Sequence, residues 1–143
     1  MADAIAAALR EFHPKICDAP VAIFAVGCFP WHGFVELSLL TAKELNEEPA
    51  LIDQAEMAAW RYYNFAFDLA AWKSTKDLVR EMADAYNAAS DTDREVISDA
   101  FFKACAAAVA SAEVTEAVSQ LRRDVRFRVS VSHPDDGREF FSV

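Results

Sequence analysis

The residues from Val125 to Ser132 alternate strictly between apolar and polar side chains, with four of each kind. Because successive side chains of a β-strand point to opposite faces, this period of two predicts a half-buried strand with one face toward solvent. Arg126, Arg128 and Ser130 would share the solvent face with Ser132. A strand needs partners to be stable in water, so the pattern predicts that the chain builds a sheet.

Two further runs supply partners for that strand. Val21–Phe29 is almost unbroken in its apolar character, which suits a strand covered on both faces. Phe34–Leu40 partly alternates, with Glu36 and Ser38 as its polar members. Pro30–Gly33 lies between the two runs and is predicted to connect them as a hairpin. A weaker alternation predicts another strand over Trp60–Phe67, and Phe140 and Phe141 allow a short closing strand.

Most of the sequence outside these predicted strands has the apolar periodicity of helices. Apolar spacing predicts helices over Ala2–Glu11, from Ala42 to before Pro49, from Ser74, from Ser90 and after Ser111. Thr41 and Glu44 have the spacing of a capping box. The order of elements predicts an α+β fold, with a small, mostly antiparallel sheet and helices packed on one face. Residues 1–143 are predicted to form a single globular domain.

Composition narrows the class of protein. The hydrophobic fraction is 54%, which excludes a disordered chain. Cys17, Cys28 and Cys105 lie in apolar surroundings without a CxxC motif, so we expect buried free thiols and a cytoplasmic protein. Pro20–Leu40 is broken by glycine, proline and glutamate, so it is not a membrane span. No signal peptide is expected, because no basic segment precedes an apolar stretch at the N-terminus.

The charge is unevenly distributed. Residues 1–120 carry 19 acidic and 9 basic side chains, whereas residues 121–143 carry 4 and 5, and the net charge is −9. The negative charge of residues 1–120 would repel phosphate groups, so nucleic acid is not an expected partner. A basic protein is the partner that this charge favours, although acidity also serves solubility. The arginines between residues 122 and 128 could bind an anion, but pairing with the acidic helices is the favoured interpretation.

Candidate protein-binding residues follow from this charge and from the hairpin loop. An acidic segment begins at Glu36 and is opposed locally by Lys43 alone. A tryptophan at a hairpin tip either folds back over the core or anchors a partner. The predicted protein-binding residues are Trp31, His32, Glu44, Glu47, Glu48, Asp53 and Glu56.

An alternative site is a small-molecule or enzymatic pocket lined by aromatic residues. Its predicted members are Cys28, Trp60 and Tyr62, beside Trp31 and His32. The three histidines are scattered, and the chain contains no nucleophile motif, phosphate-binding loop or metal-ligand spacing. We therefore predict no catalytic residues, no metal and no cofactor.

Several segments resemble an uncharacterised bacterial family of domains of unknown function. They are Val21–Phe29, Glu56–Trp60, the helical middle, and Val129–Ser132 followed by Pro134 and Asp135. Members of that family are similar in length, and some are suspected to be immunity proteins encoded beside polymorphic toxins. The resemblance implies an α+β fold and an immunity role, and it carries no catalytic residues.

Taken together, these features favour a non-enzymatic, acidic protein-binding domain, of the immunity or antitoxin kind, that engages a basic partner. Two alternatives remain open at this point. One is a small-molecule-binding or enzymatic domain with an aromatic-lined pocket. The other is a structural homodimer that buries part of the 17 aromatic side chains.

Overall fold

A computed structural model describes residues 1–52, 54–135 and 137–143, and only the backbone of residues 54–56. The helices are α1 (Ala2–Phe12), α2 (Ala42–Glu47), α3 (Lys76–Ala88), α4 (Asp91–Val109) and α5 (Ala112–Ser119). The strands are β1 (Val21–Phe29), β2 (Phe34–Thr41), β3 (Arg123–Ser132) and β4 (Glu139–Ser142). Short 3₁₀ helices cover His13–Lys15, Pro30–His32, Pro49–Ile52, Gln54–Ala59 and Ala71–Thr75. The helices α1 to α5 lie where the apolar spacing predicts helices.

The four strands form one sheet in the order β2-β1-β3-β4. The β1–β2 and β3–β4 pairs are antiparallel, whereas β1 and β3 are parallel. Parallel neighbours need a long crossover connection, and here the chain from α2 to α5 supplies it. The α+β class is therefore confirmed, with a mixed rather than strictly antiparallel sheet.

One face of the sheet carries the main hydrophobic core. Alternate residues of the three longer strands, such as Phe24, Leu37 and Val131, are fully buried there. They pack against α1, α3, α4 and α5, from which Leu9 and Phe102 are among the most buried side chains. These side chains fill this face of the sheet closely.

A smaller group of apolar side chains covers one end of the second face. Leu45 of α2 and Trp60 pack there against Ile23, Ala25 and Leu40, which together form a smaller hydrophobic cluster. The rest of this face lies under the 3₁₀ segments after α2 and the turn between β3 and β4. It is the part of the sheet in which the site lies.

The predicted hairpin between β1 and β2 is confirmed. Pro30–His32 forms one 3₁₀ turn, and Gly33 follows with φ +61°, a left-handed conformation that favours glycine. A Cβ atom at Gly33 would also lie 2.9 Å from the Val79 carbonyl oxygen of α3. The hairpin is therefore fixed against α3 at this glycine.

The predicted strand over Trp60–Phe67 is wrong. This segment makes a single bridge to β2, between Leu39 and Tyr62. Its backbone N–H groups instead close short turns, such as those from Tyr63 to the Trp60 carbonyl and from Phe67 to the Asn64 carbonyl. Hydrogen bonds within such turns use backbone N–H groups that pairing with a neighbouring strand would need.

The prediction that β3 keeps one face in solvent is also wrong. Ser130 and Ser132 are buried, because β3 is a central strand and its second face is covered. At its start, the pairing with β1 jumps from Arg123 to Arg128, so residues 124–127 bulge out of the ladder. Val125 is fully exposed as a result.

The cysteines divide into two environments. Cys28 and Cys105 are buried on the helix-covered face, as predicted, whereas Cys17 is exposed and the prediction for it is wrong. The adjacent Cys105 sulfur, together with burial, holds the pKa of the Cys28 thiol far above its usual range. None of the described helices is both long and apolar enough to cross a lipid bilayer.

Candidate functional site

A row of small and polar residues crosses the second face of the sheet. Gly27 of β1 lies opposite Glu36 of β2 on one side and Ser132 of β3 on the other. Ser132 pairs in turn with Glu139 of β4. Residues in register on neighbouring strands point to the same face, so these four positions form one line, here called the polar row.

Glu36 is the unusual member of the polar row. It is 1% exposed, and its Oε2 atom is buried without a hydrogen-bond partner among the described residues. Buried carboxyl groups are nearly always paired, because an unpaired one costs free energy of folding. Gly27 makes room for it, since a Cβ atom there would lie 2.7 Å from the Glu36 Cγ atom. Because Gly27 has no side chain, β1 leaves the space that the Glu36 carboxyl group occupies.

Tyr63 lies in the segment beside β2, and its hydroxyl group acts on the pKa of the Glu36 carboxyl group as a hydrogen-bond donor. Three hydrogen bonds hold that segment against the strand, from Leu39 N–H to the Tyr62 carbonyl at 3.2 Å, from Asn64 N–H to Ser38 Oγ at 3.0 Å and from Phe65 N–H to the Leu37 carbonyl at 2.9 Å. The residues on both sides of Tyr63 are therefore fixed to β2. This attachment positions the hydroxyl group over the polar row.

Burial controls the ionisation of both groups. It raises the pKa of Glu36 above the ordinary value of 4.5, and the Tyr63 hydrogen bond opposes that shift without cancelling it. Burial and the neighbouring carboxyl group raise the pKa of Tyr63 to about 12. At neutral pH the tyrosine therefore remains a hydrogen-bond donor, and Glu36 holds its proton more tightly than an exposed glutamate.

A cavity of about 540 Å³ lies over the polar row. Its lining includes Ile52, Met57, Ala58 and Tyr63 on one side, His133, Pro134, Asp135 and Gly137 on the other, with Phe29 and Arg128. Sites for small organic molecules commonly have volumes of roughly 300–1,000 Å³ and combine apolar walls with a few polar groups. The cavity fits that description in both volume and lining.

Two basic side chains border the cavity. Arg128 donates from Nη2 to the Ile52 carbonyl at 3.3 Å, and its buried Nε atom has no partner among the described residues. His133 accepts a hydrogen bond at Nδ1 from the Asp135 N–H group at 3.2 Å. Its ring lies 4.9 Å from that of Phe102, measured between centroids. Both side chains are thus held to the cavity walls.

The hairpin residues singled out by sequence lie beside this cavity without lining it. Trp31 is half-buried, with its ring centroid 5.7 Å from that of His133 and 6.1 Å from that of Tyr86. His32 is exposed next to it. The tryptophan therefore folds back over neighbouring residues, which was one of the two predicted outcomes.

Glu44 has a structural role in α2. Its Oε2 atom accepts hydrogen bonds from the Thr41 hydroxyl at 2.6 Å and the Thr41 N–H group at 3.2 Å, which completes the predicted capping box. Its Oε1 atom accepts another from the Arg61 N–H group at 2.7 Å. The carboxylate is thus engaged within the fold, where it joins α2 to the segment that carries Tyr63.

The other predicted acidic residues are more dispersed. Glu47 is exposed and pairs with Lys43 at 3.8 Å, and Glu48 is exposed where α2 ends. Asp53 and the side chain of Glu56 lie outside the described residues. Their role in binding a protein stays a prediction.

The three residues predicted to line an aromatic pocket are not brought together. Cys28 lies in the core on the helix-covered face. Trp60 belongs to the cluster on the second face. Tyr62 packs edge-on against Phe12 of α1, with 5.5 Å between ring centroids. The cavity that the structure does contain is built from other side chains.

Sequence reasoning missed the pairing of Glu36 with Gly27 and the part played by Tyr63. A signal was present, because a glutamate interrupts an apolar strand and a glycine interrupts the strand before it. Counting back from the hairpin would have placed the two opposite each other. Glu36 was instead counted as one of the acidic surface residues.

The described part of the chain contains no group of three His, Cys, Asp or Glu side chains arranged to hold a metal ion. Comparisons with protein-family models, curated proteins and solved structures find no match to this chain.

Proposed function

We propose that this protein is a small-molecule-binding domain whose ligand occupies the cavity over the polar row. The observation that carries the proposal is the buried Glu36 carboxyl group, whose Oε2 atom lacks a partner beside a cavity of about 540 Å³. A well-packed apolar residue would stabilise the sheet better at this position. Residues that lower stability in this way are typical of functional sites, where a ligand supplies the missing partner.

The proposed activity is binding rather than a reaction. A nucleophilic mechanism needs a nucleophile activated by an adjacent base. Tyr63 is the described residue whose hydroxyl group acts on the pKa of Glu36, and with a pKa of about 12 it remains a hydrogen-bond donor at neutral pH. The pair therefore supports recognition of a ligand group by hydrogen bonding.

A fragment screen followed by NMR tests the proposal. We expect some ring-containing fragments from a library of positive, negative and neutral compounds to shift the backbone amide signals of Gly27, Glu36 and Ser132 saturably. The effect should weaken in Glu36→Met, which replaces the carboxyl group with an apolar group of similar volume. The effect should persist in Glu81→Gln, because Glu81 is exposed on α3 and α3 packs on the opposite face of the sheet from the cavity. A library that leaves these three signals unmoved would contradict the proposal.

A second candidate is the acidic protein-binding surface, including the immunity role. Arg122 donates to the Asp18 carbonyl and Arg126 pairs with Asp124, so these two arginines are engaged away from α3 and α4, whereas Arg138 pairs with Asp99 of α4. The acidic side chains Asp77, Glu81, Asp84, Asp91, Asp93 and Glu95 are exposed on α3 and α4. A basic protein whose affinity falls steeply with added salt would support this proposal, and a complex indifferent to ionic strength would contradict it.

A further inference from the structure

We propose that the ligand of this cavity is an organic cation, an amine with an apolar body, whose ammonium group binds to Glu36. The inference rests on the proposed function, because it names the chemical class of the molecule that the cavity takes. Three features support it, namely the hydrogen-bonding capacity of the buried carboxyl group, the charge of the lining and the separation of the strand positions that carry Glu36 and Arg128.

The buried carboxyl group of Glu36 has hydrogen-bonding capacity that the described residues leave unused. An ionised carboxylate only accepts hydrogen bonds, and an ammonium group only donates them. The Oε2 atom of Glu36 is buried and has no donor among the described residues. A ligand ammonium group would supply both the missing donor and the opposite charge that a buried carboxylate requires.

The charge around the cavity is predominantly negative. Three carboxyl groups belong to its described lining, those of Glu36, Asp135 and Glu139. The basic side chains of the lining are those of Arg128 and His133, and the whole chain has a net charge of −9. An anionic ligand would meet a predominantly negative surface, whereas a cation would be attracted into it.

Arg128 would repel a cation placed beside it, but its position on β3 is separated from that of Glu36 on β2. Glu36 is in register with Gly27, and Arg128 is in register with Ile23. These two levels of the sheet are four residues apart along β1, which corresponds to about 13 Å at the usual rise per residue. An ammonium group at Glu36 therefore lies away from the backbone position of the arginine.

The apolar part of the ligand has its own contacts. Phe29, Ile52 and Met57 belong to the lining, and Tyr63 adds an aromatic ring next to Glu36. Aromatic faces attract cations, and apolar walls favour a hydrocarbon body. Together they fit an amine that carries an alkyl or aromatic group rather than a free ammonium ion.

Three matched probes test the ligand class, namely 2-phenylethylamine, 2-phenylethanol and phenylacetate. They share one apolar body and differ in charge. We expect the amine to bind with at least about tenfold higher affinity than the alcohol, the ratio that one charge-assisted hydrogen bond commonly provides. Phenylacetate should bind more weakly than either. Titrations followed at the amide signals of Gly27, Glu36 and Ser132 give the three affinities and place the binding in the cavity.

Two variants complete the test. Glu36→Gln should remove the advantage of the amine over the alcohol, and Glu81→Gln, which removes the same charge from an exposed position, should preserve it. Equal or tighter binding of the alcohol or phenylacetate would overturn the amine assignment while leaving the cavity as a binding site. If neither these probes at millimolar concentration nor the fragment library moves the cavity signals, the amine assignment and the proposed function both fail.

Discussion

Replacing Gly27 with alanine is expected to lower the free energy of unfolding by about 1–3 kcal/mol, the usual cost of inserting an atom into a filled space. The new Cβ atom would lie 2.7 Å from the Glu36 Cγ atom and 2.9 Å from its Oε1 atom. Glu36 is 1% exposed, so its buried side chain has to shift to relieve these contacts. Urea unfolding of the wild type and the variant measures the cost.

A double-mutant cycle assigns that cost to Glu36. In a Glu36→Ala background, the Gly27→Ala substitution should cost much less, since the atoms that it would strike are gone. Gly33→Ala is the matched control, because it is destabilising through its positive φ and its approach to Val79. Its cost should be the same in both backgrounds. If Gly27→Ala were equally destabilising in both, the carboxyl group would not be seated against this glycine.

Glu36→Gln is expected to change how stability depends on pH. Burial raises the folded-state pKa of Glu36 above 4.5, so below about pH 4.5 the carboxyl group is protonated in both the folded and unfolded states. As the pH rises through the folded-state pKa, the unfolded chain ionises more readily, and the wild type loses stability. The glutamine variant lacks this loss. We expect it to be more stable than the wild type by roughly 1–3 kcal/mol at about pH 8, and to have little advantage at about pH 4.

The measurement is urea unfolding of both proteins across this pH range, compared as a difference. Among the described residues, the other ionisable groups that line the cavity are Tyr63, Arg128, His133, Asp135 and Glu139, and the subtraction removes their common contribution. Glu81→Gln controls for the loss of one negative charge, and its difference from the wild type should stay nearly constant with pH. Parallel curves for Glu36→Gln and the wild type would mean that the carboxyl group ionises as freely as an exposed one.

Local patterns were sufficient to predict most of the secondary structure. Thr41 and Glu44 form the predicted capping box, and Ser90 caps α4 by accepting a hydrogen bond from the Asp93 N–H group. These interactions join residues three apart, so spacing in the sequence reveals them. The apolar run of β1 likewise reflects a strand that is buried on both faces.

Long-range pairing limited what could be predicted of the site. The parallel pairing of Gly27 with Ser132 joins residues more than a hundred positions apart, and no local pattern encodes it. The position of Tyr63 depends on turns and on hydrogen bonds to β2, although its segment alternates weakly like a strand. The cavity arises where these non-local contacts meet, which is why residue types alone indicated a different set of pocket residues.

A crystal structure of the protein soaked with 2-phenylethylamine tests the central claim most directly. We expect electron density for the amine in the cavity over the polar row, with its nitrogen within hydrogen-bonding distance of the Glu36 Oε2 atom. Crystals of Glu36→Gln treated in the same way should lack that density. An amine bound only at exposed carboxylates, with the cavity of the wild type left to water, would contradict the account.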